Sequence, residues 1–404
     1  MQWLTAYPIA TISTLAFYLL LLSLAIPRLR AMIGPLFVHP IPPHQEYLRG
    51  FDTLRGFAAS FVAIGHCYWV SNFVFGSIKT PSVIAFATKG VPMFAMLSGF
   101  LIFRSTLAIA SISDLRAYAV RRFFRIYPVY LLGVVLCLLL GQYVGSQYFT
   151  GTALFVSDLF MFPVFFWPGG FANPPTWSLY VEVMFYAFLP FAVIVLGRRR
   201  MLMVAVIGVL AMILADYPSR FFVLWKYFLI GIIAAELSPR VAKNAAVLFG
   251  LGVVLLIIDL GGPRLDWVAK IGIGRLHEDG ASIGLGLAFG LILLTLPHLD
   301  RISRALNILP LRLIGVISYS VYITQFVYIG INFSEINLFT QIGTVAIKPH
   351  LTNLTTMPKW YLPLVFFPGI LFWGAVSFLL VEKPALRFGQ RLIQRFAHLH
   401  KKVS

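Results

Sequence analysis

Runs of about twenty consecutive apolar residues recur along the chain, each long enough to cross roughly 30 Å of hydrocarbon as a helix. No other feature constrains the fold as strongly. Hydrocarbon offers no partner to backbone N–H and C=O groups, so a spanning segment must satisfy them internally, as a helix or in a closed barrel. The alternation at a period of two that barrel strands require is absent. The expectation is an all-α, polytopic transmembrane helix bundle. Spans are expected near residues 8–27, 54–74, 83–103, 123–144, 176–196, 201–216, 220–237, 244–260, 281–297, 313–333 and 360–380, about eleven in all. Composition agrees, because only 11% of the 404 residues are charged, against about 25% in a soluble domain. A water-soluble enzyme, a disordered chain and a collagen-like chain are excluded.

Charge then sets the sidedness. The net charge is +18, and with the N-terminus outside, 23 of the 32 Lys and Arg residues fall on the inner side. That is the asymmetry of the positive-inside rule, and it puts the C-terminus in the cytoplasm. The basic residues sit at the ends of apolar runs rather than on one clustered face, so no nucleic-acid partner is expected. No Lys or Arg precedes the first run, and Arg28 and Arg30 follow it, which is the reverse of a cleavable signal peptide. Residues 150–168 are apolar but hold Asp158, Pro163 and Pro168. Counting them as a span would turn every later basic loop outward, so they are expected to form one re-entrant segment. From Glu382 on, Lys383, Arg387, Arg391 and Arg395 recur every four residues among Leu386, Leu392, Ile393, Phe396 and Leu399. This predicts an amphipathic basic helix on an anionic leaflet, with membrane lipids as its partner. The organisation is thus an extra helix and cytoplasmic connector over 1–50, a membrane core over 51–381, and a cytoplasmic tail over 382–404. Cys67 and Cys137 lie inside apolar runs, give no disulfide framework, and leave no metal expected.

Ionisable residues within spans are the functional candidates, because charge in hydrocarbon is costly. Arg55 and His66 are eleven residues apart, which is three helical turns plus about 20°, so both project from one face, separated by about 16 Å along the axis. An anion-binding group then stands at the inner rim, with a proton acceptor deep in the membrane above it. Arg122 and Arg125, three apart, share a face and suit phosphate oxygens. Glu182 lies about two turns into its span and must be paired or protonated there. Structural alternatives accompany each. An arginine at a helix end snorkels to headgroups, and a histidine or glutamate can simply bond two helices together. Arg122 and Arg125 equally fit a topology-setting basic cluster. Ser98-Gly99 reads as close helix packing, and Lys89 as an interface anchor.

Taken together, these segments resemble the membrane-bound acyltransferase 3 family, from about Phe51 to Arg387. The resemblance rests on Asp52 with Arg55, ten residues and His66; on Ser98-Gly99-Phe100; on Arg122-x-x-Arg125-Ile-Tyr-Pro128; on Trp177-Ser-Leu-x-x-Glu182 with Phe185-Tyr186; and on Ser318-Tyr-Ser-x-Tyr322 followed by Val381-Glu-Lys-Pro384. One departure is Gln325, where the family's signature ends in a histidine. Gln325 bonds but does not titrate. The other is the additional helix before the core. The chain resembles the stand-alone kind, without the fused extracytoplasmic domain of some members.

The resemblance implies transfer of an acyl group, often acetyl, from acyl-CoA (acetyl-CoA in many members) to a hydroxyl of a glycan or lipid-linked sugar at a bacterial inner membrane. It makes Arg55, Arg122 and Arg125 the coenzyme A ligands. His66 becomes the general base or a covalent acyl carrier, and Glu182 its catalytic partner. Asp52, Trp177, Ser178 and Tyr322 become substrate-binding residues. The rival from another class is a transporter or lipid flippase whose buried charges line a path, though no inverted repeat supports it. A membrane scaffold would give Arg55 and His66 no reason to share a face.

Overall fold

The computed structural model describes residues 8–38, 50–75, 89–143, 158–161, 173–214, 220–261, 283–306, 309–332 and 362–403. Among these residues it is all-helical, as the apolar runs demand. In chain order the helices are α1 (Pro8–Ala25), α2 (Pro27–Ile33), α3 (Phe51–Phe75), α4 (Gly90–Thr106), α5 (Ile112–Tyr143), α6 (Trp177–Leu214) and α7 (Arg220–Leu237). They continue as α8 (Ala245–Gly261), α9 (Ile283–Thr295), α10 (Asp300–Leu306), α11 (Leu309–Val316), α12 (Ser318–Asn332), α13 (Leu362–Ser377) and α14 (Lys383–Val403). A π-helical turn, Phe378–Glu382, joins the last two.

The breaks have local causes. Ile26, with ψ 119°, is extended because Pro27 follows it, and α1 and α2 meet there at 112°. Gly197, at φ 73° and ψ 167°, breaks α6, a conformation that L side chains rarely adopt. That break falls between the two spans expected at 176–196 and 201–216. By length and composition, four described helices are suited to cross a membrane singly, and up to seven if each of three bent pairs is one span. The eleven expected spans are not all of this kind. Helix α4 is only 17 residues long and α9 only 13, while α7 carries Arg220, Lys226 and Glu236. Of the segment expected to be re-entrant, only 158–161 is among the described residues. There Tyr130 donates to Asp158 O at 2.5 Å, Tyr180 to Asp158 Oδ1 at 2.6 Å, and Tyr127 to Leu159 O at 3.0 Å.

Among the described residues packing divides into two apolar clusters. The larger gathers Phe100, Phe103, Tyr130, Phe185, Tyr227 and Phe289 from α4 to α9. At its centre α4 and α7 touch backbone to backbone. A Cβ on Gly99 would stand 2.1 Å from Phe228 O, and one on Gly231 2.2 Å from Met96 O, so only glycine fits at either point. The smaller cluster seats α1 on α13 and α12. Trp373 Nε1 donates to Ser13 Oγ at 2.9 Å. Lys383 Nζ donates to Pro35 O at 2.9 Å and Leu36 O at 2.5 Å, tying the root of the tail to the N-terminal turn. Beyond it α14 exposes Arg387, Arg391 and Arg395 and lays Phe388 against Phe124, ring centroids 5.3 Å apart.

Candidate active site

Six helices, α3 to α7 and α12, meet around one cavity. Helix periodicity explains most of its polar lining. On α6, Ser178, Glu182 and Tyr186 follow at intervals of four and share one face. On α5, Arg122 and Arg125 are one turn apart. Arg55 comes from the first turns of α3, Ser98 from α4, and Ser318, Tyr319 and Tyr322 from α12. Val91, Phe94, Leu101, Leu224 and Phe228 make the apolar wall.

The cavity is cationic. Arg55 Nη1 stands 3.6 Å from Asp52 Oδ1, one turn earlier on α3. The Arg122 guanidinium lies over the rings of Tyr118 and Tyr186, at 5.3 and 5.2 Å. Its Nη2 donates to Ser105 Oγ at 3.3 Å, while its Nε is buried without a partner. Arg125 makes no hydrogen bond or ion pair among the described residues. Adjoining it, Ser98 Oγ donates to Glu182 Oε1 at 2.6 Å, and Tyr186 OH donates to the same oxygen. Ser178 and Tyr322 hydroxyls bond each other at 2.6 Å, and Tyr322 also donates to Pro175 O.

The structure therefore brings Arg55, Arg122, Arg125, Glu182, Ser178 and Tyr322 to one cavity, with Asp52 joined to it through Arg55. Trp177 is not among the lining residues and packs against the core. Nor is His66. Its Nδ1 lies 3.0 Å from Gln325 Oε1, and its ring meets Phe326 edge-on at 4.8 Å. Gln325 Nε2 donates to Tyr322 O at 2.9 Å, which turns Oε1 toward the histidine. His66 Nδ1 is then the donor, and Nε2 keeps its lone pair. Sharing a helix face with Arg55 does not put His66 in the same cavity, because about 16 Å of helix rise separates the two and different helices pack at each depth.

Four polar lining residues carry no catalytic or binding role from the sequence: Ser98, Tyr186, Ser318 and Tyr319. Tyr186 was legible as the residue one turn beyond Glu182. Ser98 was not, since its bond to Glu182 spans 84 positions. Lys89, read from sequence as an interface anchor, is buried against Asp259 of α8. Among the described residues no group of three or more His, Cys, Asp or Glu could hold a metal ion.

Comparison with known proteins adds the following. A family model described as an acyltransferase domain matches residues 48–383, most of the chain. A protein of the Acidianus two-tailed virus, named "Putative acetyltransferase ORF330", is 31% identical over 151 residues. That match covers 36% of this chain and 42% of the relative, so the two align over well under half of either length. No solved structure matches.

Proposed function

We propose, from the premise that this chain belongs to the acyltransferase family, that it is an integral-membrane O-acyltransferase acting on acyl-CoA. The acyl group, acetyl in the simplest case, passes to a hydroxyl of a glycan or lipid-linked sugar. One observation carries this reading: three guanidiniums border a single cavity, and among the described residues only Arg55 has a carboxylate within 4 Å. Guanidinium forks left short of anions suit phosphate oxygens. The buried Nε of Arg122, without a partner, is a donor that fits a phosphate. Arg55, Arg122 and Arg125 hold the nucleotide end of the donor at the cytoplasmic mouth. Asp52 stays at that mouth beside Arg55, while Ser178 and Tyr322, with Trp177 adjacent to Ser178 on α6, bind and orient substrate farther in.

Two groups compete for the hydroxyl proton. His66 offers an Nε2 lone pair, fixed by Gln325 on the other ring nitrogen, and is the base that the sequence motif favours. Glu182 lines the cavity and His66 does not, which favours the carboxylate. Native membranes carrying the full chain, given radiolabelled acetyl-CoA, should transfer label to glycan. His66→Ala abolishes transfer if the imidazole is the base; undiminished transfer in that variant leaves Glu182 in the role. Wild-type protein that neither binds acetyl-CoA nor transfers label would overturn the reading as a whole.

A further inference from the structure

We infer that Ser98 and Tyr186 are positioning residues for Glu182: their two hydroxyls hold one carboxylate oxygen and leave the other to receive the proton of the attacking hydroxyl. The inference rests on the acyl-transfer reading of this cavity and goes further, by giving roles to two residues and an orientation to a third.

The geometry is asymmetric. Ser98 Oγ donates to Glu182 Oε1 at 2.6 Å, and Tyr186 OH donates to the same atom. One carboxylate oxygen offers about two lone pairs, so Oε1 is fully engaged. Among the described residues no hydrogen bond falls on Oε2, and the half-buried Glu182 lines the cavity. Two other carboxylates are ion-paired instead. Glu236 is met by Arg198 and Arg240, and Asp259 by Lys89. Glu182 has no cation within 4 Å among the described residues.

Each hydroxyl is itself held. Tyr186 lies one turn beyond Glu182, Tyr118 OH donates to its carbonyl at 3.1 Å, and the Arg122 guanidinium rests 5.2 Å from its ring centroid. Ser98 precedes Gly99, whose contact with the backbone of Phe228 fixes the rotation of α4 and so aims the hydroxyl at α6. The cation offered to the donor's phosphates thus braces the ring that holds the carboxylate. As the acceptor hydroxyl attacks, its proton passes to Glu182 Oε2 and its oxygen bonds the thioester carbonyl carbon. The C–S bond breaks, and the departing thiolate takes the proton to leave as free coenzyme A.

The test uses full-length Tyr186→Phe, Ser98→Ala and Ser98→Thr in native membranes with radiolabelled acetyl-CoA, with rates scaled to the folded protein recovered. Losing a hydrogen bond to a charged group predicts a fall of about 10- to 100-fold in kcat for Tyr186→Phe and for Ser98→Ala. KM for acetyl-CoA should stay within about two-fold, because neither group touches the donor's phosphates. Ser98→Thr, which keeps the hydroxyl, should recover most of the rate. Purely structural residues would change the yield of folded protein and leave the rate per molecule intact, and that result would overturn the inference. Wild-type membranes that transfer no label would instead remove the acyl-transfer reading beneath it.

Discussion

Two regions of this molecule bury positive charge in opposite ways. Where α4 meets α8, Lys89 and Asp259 neutralise each other, with side chains 8% and 7% exposed. In the cavity between α3, α5 and α6, only one of three guanidiniums, that of Arg55, has a carboxylate within 4 Å among the described residues, Asp52. The first arrangement is complete and needs nothing further. The second leaves guanidinium donors facing the cavity, and under the proposed function the donor's phosphates complete it. A paired buried charge is thus a fastening, whereas one that lacks a carboxylate beside a cavity is what the proposed function uses for binding.

The sharpest way to break this contrast is to leave half of the fastening in place. Lys89→Met should destabilise the protein by about 3–5 kcal/mol, because it removes the cation that meets the buried Asp259 carboxylate. Adding Asp259→Leu should recover most of that loss. Thermal unfolding in detergent reads both, and equal stabilities for single and double variants would refute the pairing argument. The cavity should respond in the other sense. Arg122→Ala is expected to weaken acetyl-CoA binding by about 10- to 100-fold, the worth of a hydrogen bond to a charged group, while unfolding temperature stays level or rises. Isothermal titration against thermal unfolding separates the two effects. Arg55→Lys keeps the charge and loses the planar fork, so a smaller loss of about ten-fold in affinity is expected. An unchanged dissociation constant would remove Arg55 from the donor site. The smallest effect belongs to Arg198→Ala. Its side chain is 53% exposed, and Glu236 retains Arg240, so a change of about 0–1 kcal/mol is expected, as for exposed pairs.

Much of the site was legible beforehand. Arg122 and Arg125 on one face of α5, and Glu182 about one and a half turns into α6, follow from helix periodicity and from the rarity of charge in apolar runs. The His66 reading shows the limit of that logic. An eleven-residue spacing fixes two side chains to one azimuth, but it says nothing of which helices close around each depth. Gln325, a departure from the family's histidine, turns out to be the partner of His66, a pairing across 259 positions that no local pattern encodes. Lys89 was misread for the same reason, since Asp259 lies 170 positions away. Ser98 was taken for a small packing residue. Its neighbour Gly99 does that packing, while Ser98 itself reaches Glu182.

The sequence by itself determined that the chain is helical and membrane-embedded, and which positions carry the expensive charges, because hydropathy and periodicity act within a single helix. Tertiary structure alone decided which of those charges meet. Helix rotation and depth are set where backbones touch, as at Gly99 and Gly231, and such contacts join residues far apart in the chain.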